Sequence, residues 1–299
     1  MSTETVDPRF VGIDQWPSAG AIEAMLEGQL AAIAAIKSQV GAIAAAADAA
    51  ARRLGDTGRL VYAGAGTSGR VAVQDGVELF PTYNWPRARL LLLMAGGSAA
   101  LIESVEGAED DGAAARAAVV ESGIGPSDVV IGVAASGRTP YTLAVIDAAR
   151  VAGALTIGVA NNPGAALLDR AEYAVLADTG SEVVAGSTRM KAGTAQKAVL
   201  NLLSTTIMLR RGLVHRGLMV NMRVSNRKLR ARAEAMVEQI AGVAAGAGAP
   251  ALDVADGEIR QAVLIARGAS LAEADALLAA HDGSLSGALA GLAADQATG

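Results

Sequence analysis

Cysteine is absent from the 299 residues of this chain, histidine occurs twice, and aromatics are scarce. The first absence excludes disulfides, thiolate nucleophiles and cysteine-ligated zinc. His215 and His281 alone cannot build a His-rich metal site. With aromatics at 3% and apolar residues at 52%, the core must be made from Ala, Val and Leu. Such a core suits close-packed helices and parallel strands better than a sandwich with aromatic layers. A positive surplus is also missing: the net charge of −5 argues against a general nucleic-acid binder, which needs a basic surface. The local cluster Arg223 to Arg232 reads as a solvated helix face or a dimer rim. The N-terminal MSTETVDPRF has no basic region followed by an apolar core, so no signal peptide is expected. The apolar run from Leu90, extended to Ile102, is too short and glycine-rich to span a bilayer. A cytoplasmic protein with no membrane segment is expected.

What is present is an alternation of short apolar runs and longer helical stretches. Residues 1–19 lack periodicity and read as an arm, and Ala21–Leu54 reads as one Ala-rich helix stopped at Gly55-Asp-Thr-Gly58. Strands are expected at Leu60–Ala63, Leu90–Met94, Val129–Ala134, Ala154–Val159 and Tyr173–Leu176. Continuous apolar runs alternating with helices mean βαβ units and a parallel sheet covered on both faces. Helices are expected again over Lys197–Arg211 and Val214–Ala245, followed by a Gly/Ala/Pro-rich linker at 241–253. Three short helices then close the chain, the middle one opened by a capping box of Ser270 and Glu273.

Three stretches place glycines and small hydroxyl residues at or near strand ends: Gly64–Arg70 (GAGTSGR), Ala134–Thr139 (AASGRT) and Gly186–Lys197 (GSTRMKAGTAQK). A strand or loop turning into a helix offers unpaired N–H groups, hydroxyl donors and the positive end of a helix dipole, which together suit a phosphate. Ser68 and Ser136, helped by Thr67 and Thr139, are the candidate phosphate contacts; both serines also read as helix N-caps. Arg70 and Arg138 can each pair with phosphate or with a structural carboxylate.

Acid–base work must fall to carboxylates where histidine is so rare. Asp75 and Glu78 are three apart on the helix after the first loop, hence on one face. An inward-pointing acid there, among Val77, Leu79 and Phe80, would have a raised pKa; a helix glutamate is otherwise an exposed solubilising group. Glu103, Glu106, Glu109, Asp110 and Asp111 form an acidic cluster, either a solvated helix face interrupted by Gly107 or the source of an active carboxylate, and spacing alone does not choose the active member.

Val61–Tyr83, Gly132–Tyr141 and Glu182–Thr205 resemble the signatures of the N-acetylmuramic acid 6-phosphate etherases, a sugar-isomerase (SIS) domain family, and the similarity continues through Gly217–Ala233. The resemblance implies an α/β fold: a doubly wound, parallel five-stranded SIS sheet flanked by helices over residues 20–245, with a small ubiquitin-associated-like three-helix module over 254–294. It implies cleavage of the D-lactyl ether of N-acetylmuramate 6-phosphate to N-acetylglucosamine 6-phosphate and D-lactate, with no metal or other cofactor. It puts the acid that protonates the departing lactate at Glu78, and the base at carbon 2 or at the incoming water at Glu109. The phosphosugar is then expected on Thr67, Ser68, Gly69, Arg70, Ser136, Gly137, Arg138, Thr139, Ser187, Thr188 and Lys191. A homodimer is expected by analogy with SIS domains. The chain departs from the family pattern at Leu79-Phe80, where Cys-Pro is usual, and at Gly217 and Asn221, where Asn and Asp are usual. Two alternatives share the phosphate loops: an aldose–ketose isomerase, and a non-catalytic phosphosugar sensor, against which the two glutamates tell.

Overall fold

The five apolar runs pair as parallel strands. In the computed structural model, which describes residues 2–298, they are β1 (Leu60–Gly64), β2 (Leu90–Met94), β3 (Val129–Ala134), β4 (Leu155–Ala160) and β5 (Tyr173–Leu176). Their order in the sheet is β2-β1-β3-β4-β5, parallel throughout. β1, β3 and β4 are buried at every position, the mark of central strands. Successive side chains point to opposite faces. Val61, Ala63 and Val130 share a core with α4 (Gly112–Glu121) and α5 (Pro140–Val151). Tyr62, facing the other way, bonds to Asp75 on α3 (Gly66–Tyr83). Helices therefore cover both faces.

The chain forms two compact units: Met1–Val77 with Arg87–Ile207, and Glu78–Pro86 with Met208–Gly299. In the first, the expected single helix over 21–54 is two helices, α1 (Ser18–Ala35) and α2 (Val40–Leu54), separated by a 3-10 turn at Ile36–Gln39. By length and composition Ser18–Leu54 is apolar enough to cross a membrane, which corrects the choice of Leu90–Ile102 as the stretch to weigh. Its second half is a core helix, since α2 packs on β3, β4 and β5 and buries Ile43, Ala47 and Leu54. The expected N-terminal arm is built from 3-10 turns, and Thr3 is fully buried, bonded to Asn162 at the end of β4. Helices α6 (Ala166–Arg170) and α7 (Lys191–Arg210) complete this unit apart from the last residues of α7.

The second unit departs from expectation in two places. Residues 214–226 are turns, not helix, because the next helix, α8, starts only at Arg227, capped by the Asn226 side chain, and runs to Ala241. The expected linker contains α9 (Gly248–Val254), whose Leu252 is fully buried. The three closing helices are present as α10 (Ile259–Ala266), α11 (Leu271–Ala280) and α12 (Leu285–Thr298), and the Ser270–Glu273 capping box is formed. One core joins Met236, Val237, Leu252, Val263 and Leu285, so α8 and α9 pack with the closing helices as a single body.

Candidate active site

The strand order reverses direction at β1 and β3, and in open α/β sheets ligands bind at such a switch point, beyond the carboxyl ends of the strands. Gly64 lies opposite Val133, so the first two Gly/Ser loops leave the sheet side by side. In the first, α3 begins at Gly66, directly after the strand, and Ser68 stands inside the first turn rather than at an N-cap. A Cβ on Gly69 would lie 2.4 Å from Met94 Sδ and 2.8 Å from the Gly64 carbonyl carbon. Gly69 thus lets the helix close down on β1, which leaves its first N–H groups, lacking intrahelical acceptors, at the crevice. Ser68 is buried there and Thr67 half-buried.

The second loop turns on Gly137, with φ +61°, where a Cβ would meet that of Ala165 at 2.4 Å. The Arg138 N–H donates to Ser136 Oγ at 3.1 Å, and the Arg138 side chain is exposed. Thr139 occupies the N-cap of α5 without spending its hydroxyl on a cap bond. Neither serine is therefore a simple helix cap.

The third loop is organised differently. Glu182, fully buried, accepts from the N–H groups of Lys191 (Oε2, 2.9 Å) and Ala192 (Oε1, 3.0 Å). A carboxylate of the chain itself thus occupies the positive end of α7. Lys191 Nζ donates to the Ser181 carbonyl at 2.8 Å. Ser187 and Thr188 are half-buried in the turn before α7, held by N–H bonds to Val184 and Gly186. Asn161 and Asn162, both buried at the end of β4, tie these loops together: Asn161 donates to the Ala177 carbonyl, and Asn162 to that of Ala135. Sequence reasoning missed Glu182 and both asparagines. An Asn-Asn pair directly after a strand run was the available signal.

The acidic cluster is not a helix face. Glu109 sits on a 3-10 turn, Ala108–Asp110, entered through Gly107 at φ +72°, and the turn packs against α5. Asp111 caps α4 by accepting from the Ala114 N–H. Glu103, Glu106 and Glu109 line a cleft of about 250 Å³ together with Gly66, Arg70 and Met94, beyond the ends of β1 and β2. Arg70 donates to the carbonyls of Ala100 (2.9 Å) and Glu103 (3.3 Å) and so pins the rim of this cleft.

Of the two acids on α3, Asp75 points inward at 2% exposure, whereas Glu78 is exposed. Glu78 opens the segment Glu78–Pro86 of the second unit. The Asn221 departure has a local reason: its Nδ2 donates to the Tyr83 carbonyl at 2.6 Å, which an aspartate could not do. Arg223 stacks over the Phe80 ring at 5.8 Å, which gives Phe80 a partner of its own.

Residues 99–206 match the family described as "SIS domain", and residues 42–150 match "Glucokinase regulatory protein N-terminal SIS domain". The N-acetylmuramic acid 6-phosphate etherase of Deinococcus radiodurans is 47% identical over 263 residues, covering 88% of this chain and 86% of that one. That of Streptomyces avermitilis is 44% identical over 292 residues, covering 97% and 94%. That of Salmonella schwarzengrund is 40% identical over 290 residues, covering 97% and 98%. On likeness of this extent, 40–47% identity over most of both chains, the chain belongs to the N-acetylmuramic acid 6-phosphate etherase family.

Proposed function

We propose that this chain cleaves the D-lactyl ether of N-acetylmuramate 6-phosphate, giving N-acetylglucosamine 6-phosphate and D-lactate in cell-wall amino-sugar recycling. The near full-length likeness to etherases carries this reading. Loss of the carbon-2 proton from the ring-opened sugar, beside the aldehyde, gives a stabilised enolate. Lactate at carbon 3 is then beta to the carbanion and leaves with its C–O electron pair, taking a proton. Water adds back across the carbon–carbon double bond, its hydroxyl going to carbon 3 and its proton to carbon 2. Glu109, at the cleft beside the first loop, is the base at carbon 2 or for the water. Glu78 is the acid for the departing oxygen. The first-turn amides of α3, with Ser68, Thr67, Ser136 and Thr139, hold the phosphate and position the reacting carbons.

The protein works as a homodimer in the cytoplasm on this reading. Ile22, Leu26, Leu30 and Ile33 form one stripe along α1, each 47–64% exposed, a face suited to a second copy. On this reading each site is completed across the dimer, with Glu78 supplied by the other copy. Incubation with N-acetylmuramate 6-phosphate in deuterated water tests the chemistry. The expected result is lactate release with deuterium at carbon 2 of the product, and, for Glu78→Ala, carbon-2 exchange in the substrate without lactate. Tight binding with neither lactate nor exchange in the parent protein would leave the sensor reading instead.

A further inference from the structure

A second cleft, of about 560 Å³, lies wholly within the second unit; its walls are in part apolar, and its polar lining is His215, Arg216, Gln239, Arg267 and Ser286. Two guanidinium groups border it, and none of the described residues lining it is a carboxylate, in a chain with 30 acidic residues. The nearest acid on α8, Glu238, is turned to the N–H groups of Gly246 (2.7 Å) and Gly248 (3.2 Å). Arg267 uses one N–H on the Ala241 carbonyl at 3.2 Å and keeps the rest of its fork. Arg216 has no ion-pair partner among the described residues.

Arg216 is also an unexpected residue for its place. His215 and Leu218 exchange both backbone hydrogen bonds at 2.9 Å, which closes a two-residue hairpin across Arg216 (φ +48°) and Gly217 (φ +78°). Such turns favour Asn or Gly at both central positions, because a Cβ there costs about 1 kcal/mol. The turn sets a long cation at the mouth of the cleft where glycine would fit the backbone better. His215, 6% exposed, forms part of the wall: its Nδ1 bonds Ser286 Oγ at 2.9 Å and its Nε2 is buried without a partner among the described residues. One feature opposes an anion, namely the carboxyl end of α8 at Ala241. Its effective charge of about −0.5 is outweighed by two whole positive charges, one of them already bonded to that end.

We propose that this cleft binds the phosphate of a small phosphomonoester, separately from the substrate loops, with Arg216 and Arg267 as its ligands. Only two histidines are present, so each ring can be followed by NMR in the intact protein. The test is a titration with inorganic phosphate against sodium chloride at equal ionic strength. The His215 ring signals are expected to move and saturate with phosphate alone, while those of His281 stay in place. Arg216→Gly is expected to weaken this response about tenfold, the loss of one charge-assisted bond. It should leave the melting temperature unchanged or higher, because glycine adopts the turn freely. Arg267→Gln should weaken the response similarly and decides the matter should the glycine variant fold poorly. The proposal is overturned if chloride shifts His215 as phosphate does, or if Arg216→Gly binds as tightly as the parent. Phosphate uptake that leaves the His215 signals unmoved would also overturn it, and would place the anion on the substrate loops.

Discussion

Tyr62 and Asp75 form a buried pair between the sheet and the helix that carries the first phosphate loop: Tyr62 Oη donates to Asp75 Oδ2 at 2.9 Å. The same carboxylate accepts from Asn201 on α7 and has Lys197 Nζ at 3.8 Å. One acid thus ties β1, α3 and α7 together, which fixes how α3 presents its N-terminus to the crevice. Burial, then the nearby Asp75 charge, pushes the Tyr62 phenol well above its usual 10.0. A group raised in the folded state stabilises the fold fully below its unfolded pKa and loses that stabilisation as pH rises beyond it. Alkaline unfolding is therefore expected above about pH 10. In a phenolate absorbance titration Tyr62 should ionise only on unfolding, whereas Tyr62→Phe should abolish that late step and lower stability by about 1–3 kcal/mol.

At the opposite end of the sheet, Asp128 and Arg59 make a two-pronged pair that also binds the Arg59 N–H, just before β3 and β1 begin. Burial raises the Asp128 pKa, but the Arg59 side chain and the N–H groups of Gly125 and Arg59 outweigh it and leave it below 3.8. A depressed carboxylate stabilises the fold above its unfolded pKa and ceases to do so as pH falls through the folded one. Asp128→Asn is expected to cost about 2–3 kcal/mol at pH 7, because it leaves the guanidinium half-paired. The cost should shrink in denaturant melts run below about pH 3. An equal cost at both pH values would count against the pair.

Much of the fold was legible because its signals were local. All five strands showed as short apolar runs, and the closing helices carried a capping box that the structure forms. The stretches that were misjudged lack such signals. Thr3 is buried by partners over 150 residues away, and α9 stands in a Gly/Ala/Pro stretch that only packing makes helical. At the site, the glycine loops were readable because strand, glycine and hydroxyl fall in sequence. Which residues supply internal bonds was not: Glu182 at the start of α7 and Arg70 at the rim of the Glu109 cleft are visible only once their partners are placed.

Glu182 gives the third prediction. Its carboxylate takes two N–H groups that would otherwise be orphaned at the start of α7. Glu182→Ala should destabilise the protein by about 2–4 kcal/mol, since it buries two unsatisfied donors and leaves a cavity. Glu182→Gln keeps the shape but offers one acceptor oxygen for two donors, and should fall between Ala and the parent. Denaturant midpoints of the three proteins check the order; a harmless alanine would show that the loop re-forms around water.

The pairing of Glu78 with Glu109 is decided by mixing two dead proteins. If each site takes Glu109 and the first loop from one copy and Glu78 from the other, Glu78→Ala and Glu109→Ala subunits complement each other in a hybrid dimer. One of its two sites then holds both glutamates and the other holds neither. Random reassortment makes half of the dimers hybrids, so lactate release should recover to about a quarter of the parent rate. A site made within one chain has a defect in every copy, and mixing restores nothing. Substitution of Leu26 and Leu30 by glutamate on the exposed α1 stripe supplies the second arm. Two buried charges there should dissociate the dimer, measured by sedimentation, and abolish lactate release while the monomer stays folded. A monomer that retained full activity would return Glu78 to its own chain's site and remove the need for a second copy.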